Sequence, residues 1–360
     1  MKHSIEFPVK IFATGGARVL GKRIVKQLDN ILPKKYWPEN GLKLNSYNIL
    51  RFADNEMLVQ PEDVRGHFIV IIHTRSPDVH EELAEFFWLA DAIINAGVNA
   101  KNVLVVFPYM PYSRSDKKDQ SRISVPSSFL ARTINKVCRF RKILLVEPHD
   151  AHICHYFDPY AKHISTENLF IYFIKKEILN QYKKEELVFV FPDAGGAKRY
   201  ASIPEELGIS SAYIDKERRK DQLIFKEIVG KVKDKVCIFV DDEMASGGTI
   251  MGNAEIVKRK GAKLVIALIT HATLSHRKLE TNQLMKELEK SDVDKFVVTD
   301  TIPVREKIGE FNNFTLLPIS GLLAQAIKHI VVGKSLSPFY SQEMVKKYYC
   351  PPKNFREKGG

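Results

Sequence analysis

The chain is 360 residues long, 44% apolar and 27% charged, the size of two domains and the balance of a soluble globular protein. Its longest apolar runs, 103–107 and 264–269, are too short to span a bilayer, and the amino terminus Met1-Lys-His-Ser-Ile-Glu lacks a signal peptide's apolar centre. These features exclude a membrane protein and set the expectation of a cytoplasmic one. Four cysteines at irregular spacing form no metal knuckle or disulfide framework, which fits a reducing compartment. The net charge of +12 suits either nucleic acid or small polyanionic substrates. Scattered lysines without a zinc-finger or RNP-type motif argue against nucleic acid.

In chain order, 11–16 reads as a strand ending in a glycine turn, and 18–28 as a helix. Residues 30–46 are rich in breakers and read as a loop insertion. A continuous apolar strand at 68–73 precedes a helix over 79–96. A strand at 103–107 runs into Pro108-Tyr-Met-Pro-Tyr, followed by a helix over 127–137 and a strand at 143–146. The alternation then recurs, with strands at 187–191, 211–214, 236–240, 264–270, 296–299 and 315–317. This pattern predicts α/β architecture occurring twice: doubly wound domains, each with a mainly parallel sheet flanked by helices. The expected limits are 1–162 and 163–340, with a basic, loosely ordered tail over 341–360.

Several strand ends carry chemistry. Gly16-Ala-Arg-Val-Leu-Gly-Lys-Arg23 approaches a phosphate loop but has Arg23 where the metal-binding Ser or Thr belongs, so it reads as an ordinary strand–turn–helix junction. Arg114-Ser-Asp-Lys-Lys-Asp-Gln-Ser-Arg122 packs four cations into nine residues, suited to a polyphosphate that arginine can grip bidentately. Glu147-Pro-His149-Asp150 ends another strand, and no zinc-ligand spacing closes around the following His152 and His155. In Phe191-Pro-Asp193-Ala194-Gly195-Gly196-Ala-Lys-Arg199, the acid suits magnesium and the glycine amides suit a diphosphate. Asp215-Lys216-Glu-Arg218-Arg-Lys220 supplies cations of the kind phosphoryl transfer uses. The apolar run 236–240 leads into Asp241 and Asp242, then the turn Ala245-Ser246-Gly247-Gly248-Thr249, then a helix with Ile250, Ala254 and Val257 on one face. Carboxylates repel phosphate but suit ribose hydroxyls or magnesium, whereas the turn and the helix start suit phosphate. That combination describes a phosphosugar site at the carboxyl edge of a parallel sheet.

Taken in order, these stretches resemble the ribose-phosphate diphosphokinase (phosphoribosyl-pyrophosphate synthetase) family from about 51 to 340. Arg51-Phe-Ala-Asp-Asn-Glu56, Val64-Arg-Gly66, Pro108-Tyr-Met-Pro-Tyr, Arg114-Ser-Asp-Lys-Lys-Asp, Pro192-Asp-Ala-Gly-Gly-Ala-Lys-Arg, Asp215-Lys-Glu-Arg and Thr270-His-Ala-Thr-Leu-Ser275 carry the likeness. The resemblance implies two phosphoribosyltransferase-type domains reacting at their interface, where the anomeric hydroxyl of ribose 5-phosphate attacks the β-phosphorus of Mg-ATP to give PRPP and AMP. It implies that Phe52, Asp54 and Glu56 from a neighbouring subunit meet adenine, with Arg114, Ser115 and Asp119 also on ATP. His149 and Asp193 would hold Mg2+, with 193–196 as the diphosphate loop. Asp241, Asp242 and 245–249 would take ribose 5-phosphate, while Lys216, Arg218 and His149 serve catalysis, the first two from a flexible loop. A homo-oligomer is implied, with a dimer as its minimal unit and a hexamer as the larger form the resemblance allows.

The chain departs from the family pattern in places. Ala245 stands where many members have Asp, Ser115 where glutamine is common, and Glu147-Pro-His149-Asp150 where Asp-Leu-His-Ala is usual. Of the phosphate/ADP regulatory pattern, Arg122, Ser335 and Ser337 match while Ala151 and Cys154 replace serine and glutamine, so altered regulation is expected. Two other readings are a regulatory family member that associates with an active synthetase and a phosphoribosyltransferase. The latter leaves the whole first half unexplained.

Overall fold

The computed structural model describes residues 7–75, 78–192, 194–219, 222–276, 278–303, 308, 311–341 and 345–346. The chain forms two compact units, one within Met1–Ser165, Thr301–Pro303 and Ile319–Met344, the other within Thr166–Asp300, Val304–Pro318 and Val345–Gly360.

In the first unit, β1 (Val9–Ala13) leads into α1 (Arg18–Ile31), whose Leu20, Ile24 and Leu28 recur every four residues and are buried. β2 (Tyr47–Arg51) and β3 (Met57–Pro61) form a separate antiparallel hairpin. The entirely buried β4 (Phe68–Ile72) is followed by α2 (Val79–Asn95), whose N-cap Asp78 accepts a hydrogen bond from Glu81 N–H. β5 (Val103–Phe107), α3 (Pro126–Lys136), β6 (Lys142–Val146) and β7 (Lys162–Ile164) complete the layer. The sheet is parallel throughout, in the order β1-β4-β5-β6-β7. Ile69, Ile71, Val103 and Val105 share a core with Phe86, Leu89, Leu130 and Ile134 of α2 and α3. Val70, Ile72, Leu104 and Val106 on the opposite face are buried as well, as a parallel sheet covered on both sides requires. Residues 30–46 add a short 3-10 turn (Lys34–Tyr36) and a bridge from Leu44 to Ile11.

In the second unit, α4 (Glu167–Phe173), β8 (Leu187–Phe191), α5 (Ala194–Tyr200) and α6 (Ser202–Leu207) precede β9 (Ser210–Arg219) and β10 (Gln222–Val229). β11 (Val236–Met244), α7 (Gly248–Arg259), β12 (Leu264–Ala272), α8 (Thr281–Glu289), β13 (Lys295–Thr299) and β14 (Phe314–Leu317) follow. The seven strands run β10-β9-β8-β11-β12-β13-β14, parallel except for the edge strand β10. Ile250, Ala254 and Val257 face the core with Cys237, Phe239, Val265 and Ala267. The fold class is thus α/β, doubly wound twice. The chain then returns to the first unit through α9 (Ser320–Val331), which packs on α1. Residues 319–340, expected in the second domain, therefore belong to the first unit. Most of the tail over 341–360 lies outside the described residues.

Gly230, at the end of β10, has φ 118°, and an added Cβ would lie 2.7 Å from Ala212 Cβ and 2.9 Å from its Cα. Backbone strain and a clash with main chain combine there. Gly230→Ala is expected to destabilise the protein by about 2 kcal/mol or more in urea unfolding, against a neutral effect if the turn can relax.

Candidate functional site

Two loop clusters stand at the carboxyl ends of parallel strands, one in each unit. In the first unit, 108–125 follows β5 and 147–152 follows β6, and the two meet. The Ser113 hydroxyl accepts from His149 N–H at 2.9 Å, and Lys117 Nζ lies 2.9 Å from Asp150 Oδ2. His152 is held between two carboxylates, with Nδ1 2.6 Å from Asp150 Oδ1 and Nε2 3.6 Å from Asp116 Oδ2. Tyr156 OH donates to Asp116 C=O. Burial works to raise the Asp150 carboxyl, but hydrogen bonds from Lys117 and His152 outweigh it and hold the group well below the usual carboxylate range. Arg114, Ser115 and Asp119 are exposed on the same loop.

Asp116, Asp150 and His152 present ligand atoms within 4.8 Å of one another. Asp116 is 5% exposed, and its Oδ2 is buried without a hydrogen-bond partner. Two carboxylates and an imidazole are a donor set that fits a divalent cation, with Lys117 as the charge competing for Asp150. Sequence spacing missed this group because Asp116 lies on a different loop from His152. Phe52, Asp54 and Glu56 stand apart, exposed at the tip of the β2–β3 hairpin, where Phe52 N–H donates to Glu56 C=O at 2.9 Å. The phosphate-loop near miss is closed off by acids: Gly15 N–H donates to Glu85 at 3.1 Å and Gly16 N–H to Glu82 at 2.8 Å.

In the second unit, β11 runs on to Met244, so Asp241 and Asp242 lie within the strand rather than beyond it, with Asp241 opposite Ile269. Asp242 is buried and paired to Arg199 Nη1 of α5 at 2.6 Å, while Asp242 N–H donates to Asp241 Oδ1 at 2.9 Å. Burial first, and then the Asp242 charge, pushes the Asp241 carboxyl upward. Arg199 is a site residue that the sequence reading left unassigned. Its helix position became informative only once α5 was seen to pack on β11.

The turn Ala245-Ser246-Gly247-Gly248-Thr249 then opens α7. Gly247 is its N-cap at φ 75°, in the left-handed region that suits glycine, and a Cβ there would meet Leu288 Cδ2 at 2.5 Å. Gly248 N–H points to Ser246 Oγ at 3.4 Å, and Ser275 N–H donates to Ala245 C=O at 3.1 Å, which pins the turn against 273–275. Gly248 and Thr249 are exposed.

Asp193 lies outside the described residues. Ala194, Gly195 and Gly196 form the first turn of α5 rather than a loop before it. Lys216 and Arg218 fall on β9, paired with Phe225 and Leu223 of β10, and not on a loop; their side chains lie outside the described residues.

Two doubly wound units with polar loops at the carboxyl edges of parallel sheets define an α/β enzyme of the kind that handles phosphorylated substrates. The N-terminal domain of ribose phosphate pyrophosphokinase matches residues 9–137, and the phosphoribosyl synthetase-associated domain matches 211–341. A ribose-phosphate pyrophosphokinase of Thermotoga maritima is 33% identical over 337 residues, covering 92% of this chain and 98% of that protein. One from Fusobacterium nucleatum is 32% identical over 314 residues, covering 86% and 95%. The crystal structure of phosphoribosylpyrophosphate synthetase from Mycobacterium smegmatis matches with TM-score 0.76 at 26% identity, covering 90% of this chain and 98% of that one. The chain belongs to the ribose-phosphate pyrophosphokinase family. Among the described residues no helix is long and apolar enough to cross a membrane.

Asp241→Asn tests the electrostatics of the second cluster. A carboxyl whose folded pKa is raised adds stability below its unfolded value, ~4, and loses it as pH rises through the folded value. The variant carries no such charge. Its melting temperature should match the wild type near pH 4 and exceed it increasingly toward pH 8, whereas a constant offset would contradict the assignment.

Proposed function

We propose that this chain is a ribose-phosphate pyrophosphokinase in activity as in family, moving the β,γ-diphosphoryl group of Mg-ATP to the anomeric hydroxyl of ribose 5-phosphate. The observation that carries the reading is the second-unit cluster: two adjacent carboxylates on β11, one anchored by Arg199, followed by a tight glycine turn at the start of a twelve-residue helix. Adjacent carboxylates accept hydrogen bonds from vicinal ribose hydroxyls. The hydroxyls of Ser246 and Thr249 and the first N–H groups of α7 would bind the 5-phosphate, where helix-end donors favour an anion.

ATP is assigned to the first unit. Arg114 would bind its phosphates, Ser115 and Asp119 would contact it from the same loop, and Phe52, Asp54 and Glu56 at the hairpin tip would contact adenine from a neighbouring subunit of a homo-oligomer. His149 and Asp193 are the proposed ligands of Mg2+, with the Asp116–Asp150–His152 donors beside His149; when bound, the ion neutralises charge on the polyphosphate. Residues 193–196 would meet the diphosphate. Lys216 and Arg218 would balance the negative charge that builds on the transferring group. That role needs positioning and electrostatics rather than a covalent intermediate. His149 is assigned to the same diphosphoryl side.

The direct test supplies purified protein with Mg-ATP and ribose 5-phosphate and follows both products. AMP and PRPP should form one for one; ATP turnover without PRPP would refute the reading. Lys216→Ala should lower kcat by about a thousandfold, the scale of a lost transition-state cation, with little change in ATP binding. Asp242→Asn should mainly raise KM for ribose 5-phosphate, by roughly tenfold for a lost charged hydrogen bond, and a rise confined to ATP would reverse the division of substrates.

A further inference from the structure

In the first unit Asp150 holds His152 in two ways. It is the N-cap of the 3-10 turn Ala151–Tyr156, and its Oδ1 takes the His152 N–H at 3.1 Å as well as Nδ1 at 2.6 Å. One oxygen therefore starts the turn and fixes the imidazole, whose Nδ1 must carry the ring proton at that distance. The Tyr156 ring stands edge-on to the imidazole, with centroids 5.6 Å apart and planes at 90°. Lys117 Nζ occupies the other oxygen, Asp150 Oδ2, at 2.9 Å.

With Nδ1 protonated, Nε2 of the neutral ring presents a lone pair. The Tyr156 hydroxyl lies 3.3 Å from Nε2 but donates to Asp116 C=O, so it brings Nε2 no proton. Opposite Nε2, at 3.6 Å, is Asp116 Oδ2, which is buried without a hydrogen-bond partner on a residue only 5% exposed. Lys117 Nζ, 3.9 Å from that oxygen, is too far to donate to it. Two electron-pair donors that face each other across a sheltered gap repel unless a cation lies between them. The spacing selects the cation. A tetrahedral ion with bonds of about 2.0–2.2 Å sets two donors roughly 3.4 Å apart, whereas octahedral magnesium, with bonds of about 2.0–2.1 Å, sets neighbours roughly 2.9 Å apart. Calcium's longer bonds would match the gap, but calcium takes oxygen ligands and leaves an imidazole unused. A carboxylate on the far nitrogen, as Asp150 provides, is also what orients metal-binding histidines.

We propose that His152 Nε2 and Asp116 Oδ2 together bind a zinc-class transition-metal ion, with water in its remaining positions, at a site separate from the Mg2+ assigned to His149 and Asp193. Asp150 is the positioning carboxylate behind the imidazole. Asp116 lies between Arg114 and Asp119 in the loop after β5, and His152 lies in the turn after β6. The ion thus ties the segment assigned to ATP to the segment that carries His149.

Cobalt(II) is the probe, because its visible absorption is strong in four-coordinate sites and weak in octahedral ones. Untagged full-length protein is titrated in a large excess of Mg2+ and without substrate, so the outcome does not depend on PRPP formation. A single strongly absorbing ion per chain should appear and be displaced by zinc. His152→Gln and Asp116→Asn should each remove the band, Asp150→Asn should raise the half-saturating cobalt concentration by about tenfold or more, and His149→Ala should leave it within about twofold. Urea unfolding midpoints recorded beside each spectrum separate a lost ligand from a lost fold, and His152→Gln, at a half-buried position, serves if Asp116→Asn unfolds. Zinc at ten times its half-saturating concentration should also slow tryptic cleavage after Lys117 and Lys118 by about tenfold, since cleavage needs the two loops parted, and should have no such effect in His152→Gln. An octahedral spectrum alone, a band that survives in His152→Gln, a band lost in His149→Ala, or an unchanged cleavage rate would overturn the site.

Discussion

Parallel pairing is the constraint on which both units depend. Strands that all point one way need long crossovers, and those crossovers bury both faces of the sheet. The strands are consequently apolar from end to end, as β4, β5 and β8 are. Polar function is pushed off the sheet faces and collects where strands stop. The loops after β5 and β6 hold Arg114, Asp116, Lys117, Asp119, Asp150 and the two histidines His149 and His152, and the turn after β11 holds the hydroxyls of Ser246 and Thr249. β11 bends the rule by carrying Asp241 and Asp242 inside the strand, and Arg199 is what makes that tolerable for Asp242.

How far the sequence is legible follows from the same constraint. A continuous apolar run needs no partner to be recognised, and β5 and β8 begin and end where that reading places them. The β2–β3 hairpin is largely exposed and has no such signature, so it went unseen. β10 was missed because its charged neighbours on β9 resemble solvated loop. The Asp241–Thr249 motif was legible because it is contiguous in sequence. Arg199 and the Asp116–Asp150–His152 group were not, since each forms across loops or elements that only the fold brings together. A single domain boundary also missed that residues 319–344 join the first unit.

The two clusters handle charge in opposite ways. Around Asp150 a lysine and a histidine keep a carboxylate firmly ionised. Around Asp241, burial and a second carboxylate favour the proton. Such contrast lets one protein present fixed negative charge in one place and an adaptable carboxyl in another.

The return of α9 to the first unit sets an order on synthesis. Emerging from the ribosome, the first sheet would be complete by residue 164, yet the helix that packs on α1 arrives only with 320–331, after the whole second sheet has been made. Until then the part of α1 that meets α9 has no cover. The first sheet to be translated thus waits for α9 until the second sheet is made, and a message cut short before residue 320 would leave a chain whose second sheet is whole and whose first unit is still open.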